Sequence, residues 1–136
     1  MRITITNHYF KSEKRRFEEI HAGIDFSYDY FDYIKFFETG EFIWKSDMSE
    51  SLDFASLLKG ISPDEIAQHK NHLQDFNYKD YISGRWKHED NMIVMDWSIE
   101  DHPPPAKGFN PYRLYIEWLD DDAIRDNMGW VYRRVV

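Results

Sequence analysis

Fifteen residues constrain this chain more than any others. In Phe31–Lys45, FDYIKFFETGEFIWK, two runs of aromatic and β-branched residues flank Glu38-Thr39-Gly40-Glu41. Gly40 supplies the positive φ that a tight turn requires, and the flanks have the composition of strands. After the turn Phe42 and Trp44 alternate with Glu41, Ile43 and Lys45, the period of a half-buried strand. An isolated hairpin is marginal in water, so this one demands a larger antiparallel sheet.

The remaining alternation supplies that sheet. Ile3 and Ile5 alternate with Arg2, Thr4 and Thr6, which predicts a strand over residues 2–9, whereas Lys14–Ile20 fits either period. Tyr81–Lys87, Met92–Ile99, Tyr112–Leu119 and Trp130–Val136 all read as strands. Asp120–Gly129 reads as a turn with one helical turn over Ala123–Asp126, and the prolines of Asp101–Gly108 predict an extended loop outside the sheet.

Two short helices are expected between the hairpin and Tyr81. Leu52, Ala55 and Leu58 share a helical face, with Ser51 as N-cap and Gly60 as stop. Ser62-Pro63-Asp64-Glu65 is a second start signal, combining a capping hydroxyl, proline at N1 and acids at the positive end of the dipole. That helix is predicted to run to about Leu73. With no internal tract to divide them, residues 1–136 read as one domain. The expected fold class is mainly β, an antiparallel barrel or strongly curled sheet of seven or eight strands with a two-helix insertion.

The segments Tyr33–Trp44 (YIKFFETGEFIW) and Tyr81–Trp86 (YISGRW), with the helical stretch between them, resemble the lipocalin-like barrels of the calycin group. The matching points are Gly40 and Gly84-Arg85-Trp86, with Tyr112–Leu119 and Trp130–Arg134 as closing strands. The lipocalins proper carry Gly-x-Trp near the N-terminus, and fatty-acid-binding proteins place their helices after the first strand; this chain departs from both. The resemblance implies a barrel with an internal cavity and carries over no ligand contact.

Composition excludes several chemistries. There is no cysteine, so disulfides, thiolate metal sites and cysteine nucleophiles are ruled out. The formal net charge of -8 argues against a nucleic-acid partner. The one basic stretch, Lys11, Lys14, Arg15 and Arg16, is interleaved with Glu13, Glu18 and Glu19 and reads as solvated. No run of ~20 apolar residues offers a membrane span, and the first residues lack the apolar core of a secretory signal, so a cytoplasmic location is the expectation.

Three polar constellations could carry chemistry. Glu65, His69 and His72 have the i, i+4, i+7 spacing of one helical face but no H-E-x-x-H pattern. Asp120, Asp121, Asp122 and Asp126 fail the calcium-loop spacing at Ile124. Glu100-Asp101-His102 lies on a run whose neighbours face opposite ways. No catalytic residue, metal ligand or cofactor is therefore assigned, and the balance is against an enzyme. The inward sets Ile93/Met95/Trp97 and Leu114/Ile116/Trp118 point to an apolar interior, with Gly84 leaving room in its wall. The expected ligand-binding residues are Trp86, Met95, Trp97, Ile116 and Trp118, and the expected partner is an apolar or amphipathic small molecule. The alternative is an acidic protein-interaction module of inhibitor or immunity type, with a protein partner.

Overall fold

A computed structural model of the chain describes residues 4–49, 52–72, 81–101 and 112–135. It is a closed antiparallel β-barrel with two short helices on its flank. The barrel strands are β1 (Tyr9–Ser12), β5 (Tyr28–Phe36), β6 (Glu41–Asp47), β7 (Ile82–Glu89), β8 (Met92–Asp96), β9 (Arg113–Asp120), β10 (Ala123–Asp126) and β11 (Val131–Val135). Each pairs with the next, and β11 returns to β1 through Phe10↔Arg134 and Ser12↔Tyr132, so the eight-stranded meander closes. Between β1 and β5 lie three short strands. β2 (Arg15–Phe17) extends the sheet along the first residues of β5, while β3 (Ile20–His21) and β4 (Ile24–Asp25) form a separate small hairpin.

The organising hairpin forms as its sequence implies. Phe36 pairs with Phe42, Gly40 donates its N–H to the Phe37 carbonyl at 3.0 Å, and Gly40 has φ +95°. Its carbonyl accepts from the Trp86 N–H at 2.9 Å, tying the turn to β7. Gly40→Val should therefore cost about 1 kcal/mol or more, read as a lower urea midpoint at unchanged slope.

Alternate residues of these strands fill the barrel. Phe10, Ile34, Phe36, Phe42, Ile93, Met95, Ile116, Ile124 and Tyr132 are all buried in one cluster, with Trp44, Trp86, Trp97 and Trp118 packed against it. The lower end carries the tight turns at residues 37–40, 90–91 and 121–122. A 3₁₀ turn, Ile5–Asn7, lies beneath it with Ile5 in the core, and Lys35 Nζ donates to the Thr6 carbonyl. The longer connections gather at the upper end.

A second core lies outside the barrel wall. β5 and β6 are apolar on both faces, and Phe31, Tyr33 and Ile43 pack under Phe54 of α1 (Phe54–Lys59) and Ile66 of α2 (Pro63–Gln68). The Ser62 hydroxyl accepts from the Glu65 N–H at 3.2 Å, so Ser62→Ala should lose about 0.5–2 kcal/mol, checked by thermal unfolding.

Several expectations are corrected. Residues 5–7 form a 3₁₀ turn and the first strand begins at Tyr9. Asp53, not Ser51, caps α1, accepting from the Ser56 N–H at 3.0 Å; Phe54 is the residue it buries, while Ala55 is exposed. Ala123–Asp126 is a strand, because Ile124 faces inward between Trp118 and Tyr132 and closure of the barrel needs a partner for β11. The room expected at Gly84 is filled, since the Phe42 ring and the Asp96 carbonyl occupy the space a side chain would take. Ile3, Ser51, Leu73 and residues 102–108 of the proline loop lie outside the described residues.

Candidate functional site

The upper end of the barrel holds the polar groups that the rest of the interior lacks. Counting back by two from Ile34 on β5 gives Asp32, and counting on from Phe42 and Trp44 on β6 gives Ser46; both face inward. Asp32 is 1% exposed and receives the Ser46 hydroxyl and, at 2.5 Å, Nη1 of Arg15. Nη2 of Arg15 donates to the Tyr132 hydroxyl at 2.8 Å, which donates in turn to Asp126 Oδ2 at 2.8 Å. The other oxygen of Asp126 accepts the backbone N–H groups of Met128 (2.9 Å) and Trp130 (3.1 Å), which fixes the β10–β11 turn. The network therefore runs Ser46–Asp32–Arg15–Tyr132–Asp126 and crosses the barrel from β6 to β10.

Its electrostatics follow from burial. Burial works against the charge of Arg15, but Asp32 and Tyr132 outweigh it and its pKa is raised. Burial pushes the Asp32 carboxyl above its usual range, opposed by Arg15, Ser46 and Trp44, and the like charge of Asp126 adds to the rise. Burial likewise drives the Tyr132 phenol well above its usual value, so it remains a neutral donor to Asp126. The network thus combines one cation with two carboxyl groups and a phenol that keeps its proton.

Above this floor lies a cup of about 270 Å³. Trp44, Trp97, Tyr112, Leu114 and Tyr132 wall it, Met128 and Trp130 form its exposed rim, and Arg15 and Asp126 are its charged members. Trp44 and Trp97 meet edge to face at 5.8 Å, and the Arg15 guanidinium lies 4.0 Å over the Trp130 ring. Three enclosed donors of its lining residues, Arg15 Nε, Trp44 Nε1 and Trp97 Nε1, have no acceptor among the described residues. An unmade hydrogen bond on a buried group costs about 1–3 kcal/mol. The Trp44 N–H lies close enough to Asp32 to favour its ionised form, although it does not close a hydrogen bond.

The expected binding residues are not brought together. Trp97 lines the cup, whereas Met95 and Ile116 are buried in the packed middle of the barrel. Trp86 and Trp118 sit at the lower end, beside an open recess of about 500 Å³ shared with Thr4, Glu38 and His88. There the Trp86 indole N–H is already engaged by the Phe37 carbonyl at 2.8 Å. A larger groove, about 650 Å³, runs over the outer face beside Lys11, Lys14 and Arg133, without a comparable buried network. Arg15, which in the sequence belongs to a stretch that reads as solvated, is 7% exposed. Its charged neighbours hide it: Lys14 and Arg16 are exposed, and only strand pairing with β5 turns Arg15 inward.

The other constellations come apart. α2 ends at Gln68, so His69 leaves the helical face; it stacks on Tyr81 at 4.3 Å and its Nε2 contacts the Tyr81 carbonyl. Asp126 is buried away from Asp120–Asp122, and Asp122 pairs with Arg134 at 2.7 Å. Among the described residues no group of three or more potential ligands is placed to hold a metal, and His102 lies outside them. No helix among them is long and apolar enough to cross a membrane. No protein-family model, curated protein or solved structure matches this chain.

Proposed function

We propose that this barrel binds a small amphipathic molecule in the cup at its upper end. The observation that carries this reading is a concave, aromatic-walled recess built directly on a buried, fixed polar network. Ligand sites combine apolar walls with a few placed polar groups in this way. At about 270 Å³ the cup lies just below the roughly 300–1,000 Å³ typical of ligand pockets, which favours a compact ligand. The eight-stranded meander, closed below by a packed core and a 3₁₀ turn, supports a lipocalin-like architecture, with binding confined to the mouth rather than a central cavity. Titration calorimetry with naphthalene, a neutral apolar probe, should give a saturable one-to-one isotherm. Trp44→Ala should weaken it at least tenfold, and Trp118→Phe should leave it unchanged. Absence of saturable binding would remove the reading.

A second reading has its own observation. The β3–β4 hairpin exposes Ile20 (73%), Ile24 (59%) and Phe26 (50%). Exposed apolar side chains gathered on one projection, in a chain of net charge -8, suit a protein partner. Replacing all three with serine should abolish capture of such a partner while leaving naphthalene binding intact.

A further inference from the structure

We infer that the partner of the β3–β4 hairpin is a second copy of this chain, with the acidic, apolar-tipped arm of each protomer seated in the basic groove of the other. This rests on the reading of that hairpin as a protein-binding element and names its partner.

The arm, residues 16–30, supplies one half of the match. It leaves the barrel after β1 and returns into β5, and its tip is a two-stranded sheet separate from the barrel. A hairpin of two-residue strands is marginal in water unless something packs on it. Ile20, Ile24 and Phe26 are nevertheless exposed there. Among them stand four acids, Glu18, Glu19, Asp25 and Asp29. The only bases on the arm are Arg16, which contacts Glu18 and Asp29, and His21, which contacts Glu19. The arm's excess charge is therefore negative.

The groove of about 650 Å³ on the outer face supplies the other half. Lys11, Lys14 and Arg133 line it, with Phe31 and Val135 as its apolar members. Phe10 and Ser12 are buried, so Lys11 faces outward, directly opposite Arg133 on β11. Like charges opposite one another on a sheet repel, and carboxylates brought against them relieve that repulsion. Arg134 is engaged by Asp122, and Glu13 is the one acid of the lining. Among the described residues none from 16–30 lines the groove, so the chain does not fill it with its own arm.

Symmetry makes the match reciprocal. Lys14 precedes the arm and Phe31 follows it, so the groove lies at the arm's root. A two-fold axis that lays one arm over the partner's groove lays the partner's arm over the first groove, and both contacts form together. Carboxylates then meet lysine and arginine, while the apolar tip leaves water. The charge of -8 on each copy opposes approach. At about 0.15 M salt that repulsion is screened beyond about 8 Å, whereas pairs in contact are screened less.

The test is sedimentation velocity of the intact chain from about 1 to about 200 µM in about 0.15 M salt. The wild type should pass from monomer to dimer as concentration rises. Ile20→Ser with Ile24→Ser and Phe26→Ser should stay monomeric throughout. An arm variant, Glu18→Lys with Glu19→Lys, and a groove variant, Lys14→Glu with Arg133→Glu, should each be monomeric alone. Mixed, these two should form a one-to-one heterodimer, because each arm then meets a groove of opposite charge. Circular dichroism matching the wild type establishes that both are folded. A wild type that stays monomeric would overturn the second-copy inference. The hairpin reading would then be decided separately, by whether the serine variant loses capture of another protein. A dimer that survives the serine changes, or folded charge variants that fail to pair when mixed, would overturn the inference as well.

Discussion

Asp32→Ala should destabilise the barrel by about 3–5 kcal/mol, seen as a large drop in the urea midpoint. The change strands a guanidinium that is 7% exposed and takes away the acceptor of the Ser46 hydroxyl. Breaking a buried pair from one side leaves its partner's desolvation uncompensated, which is where most of the loss arises. The double replacement Arg15→Met with Asp32→Leu should recover most of that loss, because apolar groups of similar volume need no partner. It should nevertheless weaken ligand binding, since the polar floor of the cup is gone. The Arg16–Asp29 pair, 50% and 44% exposed, is the control, and Asp29→Ala should leave the midpoint unchanged. A small effect of Asp32→Ala would mean that the network is solvated and that the floor is not built as described.

The second large effect is at Gly84. A β-carbon there would lie 2.1 Å from the Asp96 carbonyl oxygen and 2.7 Å from a ring carbon of Phe42. The first contact is with backbone of the neighbouring strand, which cannot swing aside. Gly84→Val should cost about 3 kcal/mol or more and can prevent folding; Gly84→Ala should follow the same course less severely. Trimming Phe42 to leucine in the Gly84→Ala background should relieve only part of the loss, because the Asp96 clash persists. Full rescue would show that the ring, not the strand approach, enforces glycine at this position.

The period-2 pattern makes the barrel legible in the sequence. Alternation in Phe42–Trp44, Ile93–Met95 and Leu114–Trp118 assigns inward faces that the fold keeps, and the Gly40 turn and Ser62 cap form where their local chemistry dictates. β10 is not legible, because Asp120–Asp122 and Asp126-Asn127 surround Ala123-Ile124-Arg125 with turn formers; its strand state is imposed by closure. The outer core is half legible. Alternation puts Ile43 on the solvent face of β6, yet two helices cover it, which a single-strand pattern does not reveal.

The site escapes the sequence for a related reason. Tryptophans on inward faces locate the interior but not where it opens, because that depends on which end gathers the long connections. The polar floor is within reach: Asp32 shares a face with Ile34 and Phe36, Ser46 with Phe42 and Trp44, and Asp126 with Ile124. Polar residues in register with a buried apolar set must find partners, and that constraint alone implies a network. Arg15 is beyond reach, since its pairing with Asp32 joins two strands whose register is set by β2 lying along β5.

The five tryptophans make the central claim directly measurable, because each contributes one indole signal to a nitrogen–proton correlation spectrum. During titration with naphthalene the signals of Trp44, Trp97 and Trp130 should shift together and saturate, while those of Trp86 and Trp118 at the opposite end stay in place. Movement of Trp86 and Trp118 with the other three fixed would contradict the account and put the ligand at the lower end of the barrel.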